Sequence, residues 1–192
     1  HRQFPWITVW DDHEFCDDPY PGGADNHQPE TEGEWQQRVA TAIRVYDEWM
    51  PTRVEDPNKI WRTFNFGDLA QIHALDIKRP LVAPVEGEDP SMLGEEQSAW
   101  LDQQITTTRS TWMVLAQQQT FTNPSSAWDS HPLSRERIKS SMENAGVQNL
   151  IVLTGDIHQA RACDITENPT AYALDPGANT WGVELICSSI TS

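Results

Sequence analysis

Two short apolar runs, far apart in the chain, each break off into carboxylate and imidazole. Ile7-Thr8-Val9-Trp10 leads into Asp11-Asp12-His13-Glu14, and Leu150-Ile151-Val152-Leu153 leads into Thr154-Gly155-Asp156-Ile157-His158. Runs of this length, rich in branched residues and with abrupt polar ends, read as buried strands. Ligand sites in sheet-based α/β folds lie at the carboxyl ends of strands. Oxygen-rich ligands with imidazole suit hard or borderline metal ions. The two stretches therefore point to one metal site built from two strand ends. Taken singly, each has a plainer reading: Asp-Asp can turn the chain or cap a helix, Gly-Asp is a common turn, and a lone His is more often structural. Two such clusters, each just past a buried strand, favour the metal.

At 192 residues the chain is long enough for a sizeable core. A net charge of −16 repels nucleic-acid backbone and anionic membrane at long range, so no nucleic-acid partner is expected. A phosphate-bearing substrate would need a local positive centre, which a metal ion supplies. Nine Trp and thirteen Pro suit a rigid, loop-rich globule rather than disorder. Cys16, Cys163 and Cys187 show no C-x-x-C spacing and imply neither a disulfide framework nor a zinc knuckle; whether any pair bridges stays open. Cys16 follows His13 by three positions and reads as a small buried residue. No run approaches the ~20 apolar residues of a membrane span, and no signal-peptide pattern is read in these residues.

Residues 16–33 read as a turn-rich loop. A helix follows, with Thr31 and Glu34 as a capping box. Its apolar face is Trp35, Val39, Ala42, Ile43, Tyr46, Trp49 and Met50, and Pro51 ends it. Arg38 stands outside that face and can be solvated or reach an anion. Ile60–Phe66 and Ala70–Leu75 read as strands joined at Gly67-Asp68, with His73 a strand-face residue rather than a ligand. After an irregular stretch with Pro80, Pro84 and Pro90 comes a helix carrying Leu93, Gln97, Trp100, Leu101 and Ile105. A strand from Trp112 ends in Gln117-Gln118-Gln119, and a loop runs from Asn123 to Pro132. A helix N-capped by Ser134, with Leu133 and Ile138 as a staple, closes at Gly146. Residues 167–179 read as loop, and Trp181–Cys187 as a last strand. Helix and sheet are mixed throughout, which implies layered α/β packing around one core.

Several phrases, in this order, resemble those of PhoD-like alkaline phosphatases and phosphodiesterases, members of the calcineurin-like metallophosphatases. They are Trp10-Asp-Asp-His-Glu14, Arg62-Thr-Phe-Asn-Phe-Gly-Asp-Leu69, Met92-Leu-Gly-Glu-Glu-Gln97 with Trp100-Leu101, Trp112-Met-Val-Leu115, and Leu153-Thr-Gly-Asp-Ile-His158. The resemblance implies a four-layer αββα sandwich with two central sheets. Residues 1–192 would form part of one catalytic domain, incomplete at the N-terminus and also at the C-terminus. It implies phosphomonoester or phosphodiester hydrolysis by a metal-activated hydroxide, on small-molecule or lipid-type substrates. Two or more metal ions are implied, iron and calcium first, with zinc or manganese as alternatives. The implied location is periplasmic or extracellular. By the same resemblance His13 is the catalytic histidine. Asp12 stands where relatives place an Asn ligand; Asp156 and His158 belong to a metal motif; Asp11 is a further ligand or a supporting carboxylate; Arg38 contacts phosphate.

The chain departs from the family pattern in places. The family's first metal motifs lie upstream of Trp10, where only nine residues stand here, so the site as given would lack ligands. Asp17 and Asp18 replace common asparagines, His131 stands where a Tyr is usual, and Leu75-Asp-Ile-Lys-Arg79 matches loosely. The competing reading is a non-catalytic binding or surface-assembly domain that keeps the fold.

Overall fold

The computed structural model describes residues 3–78, 91–122, 128, 131–166, 169–177 and 179–187. The proline-rich stretch after Lys78, most of the 123–132 loop and the last five residues lie outside the described residues. The element order is α1 (Pro29–Glu32), α2 (Trp35–Trp49), β1 (Arg62–Phe66), β2 (Ala70–Ala74), α3 (Gly94–Thr107), β3 (Trp112–Gln117), α4 (Pro132–Ala145), β4 (Leu150–Thr154), β5 (Arg161–Ile165), α5 (Pro169–Leu174) and β6 (Gly182–Ile186).

One six-stranded sheet runs in the order β1-β2-β3-β4-β6-β5. Its central strands β2, β3, β4 and β6 are parallel, and the edge strands β1 and β5 pair antiparallel. Parallel neighbours need crossovers, which α3 and α4 supply. The consequence for function is geometric. Parallel strands end on the same side, so the segments after β2, β3 and β4 meet along one edge.

Leu75, Met113, Leu115, Leu150, Val152 and Ile165 pack with Leu101 and Ile105 of α3 and Ile138 and Met142 of α4. Asp102 joins the two helices, accepting from Arg137 Nε at 2.6 Å and Ser141 Oγ at 2.8 Å. A second cluster gathers Trp10, Phe15, Cys16 and Ala24 of the N-terminal segment, Trp35, Val39, Ile43 and Tyr46 of α2, and Ile60. The expected apolar face of α2 is thus buried except at its end, where Trp49 is exposed. On the sheet, Leu153 pairs with Leu185, and both stay partly exposed. The described residues supply one sheet of the layered architecture, and this apolar stretch of it is open.

Local expectations fail where tertiary contacts override local signals. Ile7–Trp10 is not a strand. Its carbonyls find side chains instead of a ladder: Thr8 O accepts from Arg62 at 2.7 Å, and Trp10 O from Gln118 Nε2 at 2.7 Å. Thr31 lies inside the short α1, and α2 starts after Glu34 without a side-chain cap, so there is no capping box. α4 begins at Pro132, its N-cap is His131, and Leu133 is exposed, so there is no staple. Ser134 Oγ instead accepts from Met92 N at 2.9 Å. Gly146 does close α4 in the left-handed region, at φ 70°. Arg161–Ile165 adds an edge strand, and Pro169–Leu174 is a helix where loop was expected.

Candidate metal centre

The carboxyl edge of the parallel strands gathers the functional side chains. The segment after β2 presents Asp76 and Lys78, the end of β3 presents Gln117 and Gln118, and the turn after β4 presents Asp156. The N-terminal segment is pinned across these ends by buried hydrogen bonds. Trp10 Nε1 donates to Asp76 Oδ1 at 2.7 Å, while Gln118 Nε2 donates to Trp10 O and Leu75 O. Asp76 is itself held by Gln97 of α3, whose amide accepts from its N–H and donates to its carbonyl, both at 2.8 Å. Trp10 also meets Phe15 and Tyr46 edge-on, at centroid distances of 5.1 and 5.3 Å. Beyond it the chain turns back tightly, with Phe15 N and Cys16 N both donating to Asp12 O. Asp11 and Asp12 are thereby fixed beside the end of β4.

Asp11, Asp12 and Asp156 each offer a carboxylate oxygen within 4.8 Å of the others. His13 Nε2 lies 3.8 Å from Asp12 Oδ2 and 3.8 Å from Asp17 Oδ1, forming an adjoining group. Asp12 therefore belongs to both groups, while His13, with its side chain 72% exposed, stands at the solvent side. Asp17, which the sequence marked only as added negative charge, is drawn into this arrangement.

The turn after β4 is strained. Ile157 N donates to Gly155 O at 2.9 Å, closing a three-residue turn with Asp156 at φ 67°. His158 sits at φ 50°. Left-handed backbone costs roughly 1–2 kcal/mol at a non-glycine residue, less at Asp. The strain sits at the residue whose carboxylate enters the cluster, where functional sites commonly hold it.

Lys78 is the residue that sequence reasoning missed. Its side chain is only 6% exposed, and its ammonium lies 3.3 Å from Asp156 Oδ1, 3.7 Å from Asp11 Oδ1 and 4.0 Å from Asp12 Oδ1. Burial pulls the lysine pKa down, but attraction from Asp156, Asp11 and Asp12 outweighs it and leaves it above its ordinary value. Asp11 is pushed up to about 6, first by burial and then by Asp156 and Asp12, against the pull of Lys78. A carboxyl held this far from its ordinary range among like charges marks a functional-site candidate.

The donor set fits a metal ion. Three carboxylates from two distant segments converge, and Asp11 Oδ1 is buried with no hydrogen-bond partner. His158 lies on the exposed turn and belongs to neither group among the described residues. Arg38 is engaged elsewhere: its Nε donates to Phe15 O at 2.8 Å, and its Nη1 lies 3.5 Å from Glu32. His73 is buried on β2 beside Thr63 of β1 and belongs to neither group of the centre. Cys16, Cys163 and Cys187 are unbridged thiols, and Cys16 is buried. Among the described residues no helix is long and apolar enough to cross a membrane.

The comparisons agree with this architecture. A curated relative, "Alkaline phosphatase D" of Bacillus subtilis (strain 168), is 30% identical over 220 residues, spanning 100% of this chain and 37% of that protein. A solved structure described as "Structure of PhoD" superposes with a TM-score of 0.78 at 28% identity, covering 98% of this chain and 40% of that one. The chain thus spans well under half the length of these relatives. The family model described as "PhoD-like phosphatase" matches residues 1–192, and the chain belongs to that family.

Proposed function

We propose that the chain is part of the catalytic domain of a metal-dependent phosphoesterase acting on small-molecule or lipid-type phosphate esters. The observation that carries this reading is the convergence of Asp11, Asp12 and Asp156 at the carboxyl edge of the parallel strands, with His13 beside them. When bound there, metal ions would neutralise phosphoryl oxygens and acidify a water. Iron and calcium lead by resemblance, with zinc or manganese as alternatives. Ligands from elsewhere in a longer protein would complete the set.

The chain's own residues divide the remaining work. Asp11, Asp12 and Asp156 hold the cations, and His158 joins them if its side chain turns inward from the exposed turn. His13 Nε2 faces the solvent side of Asp12, where it can donate a proton to the leaving alkoxide or hydrogen-bond a phosphoryl oxygen. Arg38 acts through the Phe15 carbonyl and fixes the turn that carries His13, rather than contacting phosphate itself. A periplasmic or extracellular location follows from the same family resemblance. The observation favouring a non-catalytic binding domain is Lys78, whose ammonium already neutralises part of the cluster.

Hydrolysis of p-nitrophenyl phosphate and of its bis-ester by wild type and His13→Ala separates the readings. General acid–base catalysis contributes about 10²–10⁴-fold, so the variant should lose at least about 10² in kcat with an unchanged circular dichroism spectrum. A variant that keeps its kcat would remove His13 from the mechanism.

A further inference from the structure

We propose that Lys78 is a built-in cation that competes with metal ions for the Asp11–Asp12–Asp156 cluster, holding the site in shape when metal is absent and weakening metal binding when it is present. This rests on the reading that the cluster binds metal. The geometry makes the competition unavoidable. The ammonium lies 3.3 to 4.0 Å from one oxygen of each carboxylate, and its side chain is shut away from solvent. Carboxylate oxygens hold divalent cations at about 2.0–2.6 Å. A cation bound to those oxygens would therefore lie within about 6 Å of the Lys78 nitrogen, where like charges oppose each other.

In the metal-free protein, three carboxylates gathered within 4.8 Å repel one another. Among the described residues, Lys78 supplies the one cation that contacts all three. Its placement follows from topology. The segment after β2 runs beside the end of β3, and β4 is the next strand over, so a long side chain from position 78 reaches both the β4 turn and the N-terminal segment. Removing the ammonium should therefore have opposite effects on the two states. The metal-free protein loses stability, and the metal-loaded one gains affinity.

The experiment is calorimetric titration of metal-stripped protein with Mn²⁺ alone and with Ca²⁺ alone, for wild type, Lys78→Met and Lys78→Arg, alongside thermal melts without metal. Lys78→Met keeps most of the length of the side chain and removes its charge. The expected result is at least tenfold tighter metal binding by Lys78→Met, a lower melting temperature without metal, and near wild-type affinity for Lys78→Arg. If Lys78→Met is unfolded without metal, folding on addition of Mn²⁺ or Ca²⁺ supports the proposal, and failure to fold with either overturns it. Equal or weaker binding by a folded Lys78→Met also overturns it. Wild type that takes up neither ion would instead overturn the metal-dependent reading beneath it, so the two failures are distinct.

Discussion

Acidification should destabilise the fold through His73, and the size of the effect follows from its surroundings. The imidazole is fully buried on β2. Its Nδ1 lies 3.0 Å from Thr63 Oγ1, and that hydroxyl donates its single proton to Gln104 Oε1 at 3.1 Å. Nδ1 therefore carries the proton and donates to Thr63, while Nε2 is buried without a hydrogen-bond partner. Charging the ring would add an Nε2–H with nothing to receive it. Burial accordingly lowers the His73 pKa from 6.5 to about 4. Between those values the unfolded chain binds a proton that the folded chain refuses. The contribution is fully present above the unfolded pKa and is lost as pH falls toward the folded one. At 1.36 kcal/mol per pH unit, about 3 kcal/mol is at stake.

The assay is urea unfolding of wild type and His73→Gln across the acid range. Subtracting the two curves cancels the distant carboxylates, which contribute alike to both. The wild-type advantage should shrink by about 2–3 kcal/mol between about pH 7.5 and pH 4.5, with unchanged m-values. A difference flat to within about 0.5 kcal/mol would show that the ring titrates normally and would refute the argument from burial.

Two other buried polar side chains carry predictions. Glu184 is fully buried on β6 and accepts from Phe121 N at 2.7 Å, Thr122 N at 2.9 Å, the Thr122 hydroxyl, and Thr154 Oγ1 at 2.7 Å. Glu184→Ala strands two backbone donors at about 1–3 kcal/mol each, so urea unfolding should show a loss of about 3–5 kcal/mol; a loss below about 1 kcal/mol would contradict that role. Gln118→Ala removes the donor to Trp10 O and the acceptor for Ile77 N. It should cost about 2–3 kcal/mol and, by loosening the Asp11–Asp12 segment, weaken Mn²⁺ binding; calorimetry showing unchanged affinity would separate the clamp from the metal centre.

The residues that meet at the centre were legible because their local chemistry is unusual. Asp11, Asp12, His13 and Asp156, singled out by phrases that each follow an apolar run, come together in the structure, while His158 of the second phrase stays on the exposed turn. The helix face of α2 was legible too, since its spacing is set by its own core. What local sequence could not express was pairing. Ile7–Trp10 has the composition of a strand but no ladder partner among the described residues, and side chains of Arg62 and Gln118 satisfy it instead. Lys78 was invisible for the same reason. A lysine after a strand reads as a surface charge; the parallel order of β2, β3 and β4 sets the Asp156 turn beside it, and the bonds of Asp76 and Gln118 to Trp10 bring Asp11 and Asp12. Gln118 likewise read as the polar end of a strand, and its clamp on Trp10 spans 108 positions in sequence.

Everything proposed for the centre depends on the acidic cluster holding metal. Its most direct test is the metal content of the protein purified from its source and dialysed exhaustively. At least one iron, calcium, zinc or manganese atom per chain is expected, falling on substitution of Asp12 or Asp156 by Asn. A protein that holds no metal, and takes up none when iron, calcium, zinc and manganese are offered, would contradict it and leave the fold as a binding domain with Lys78 as its permanent cation.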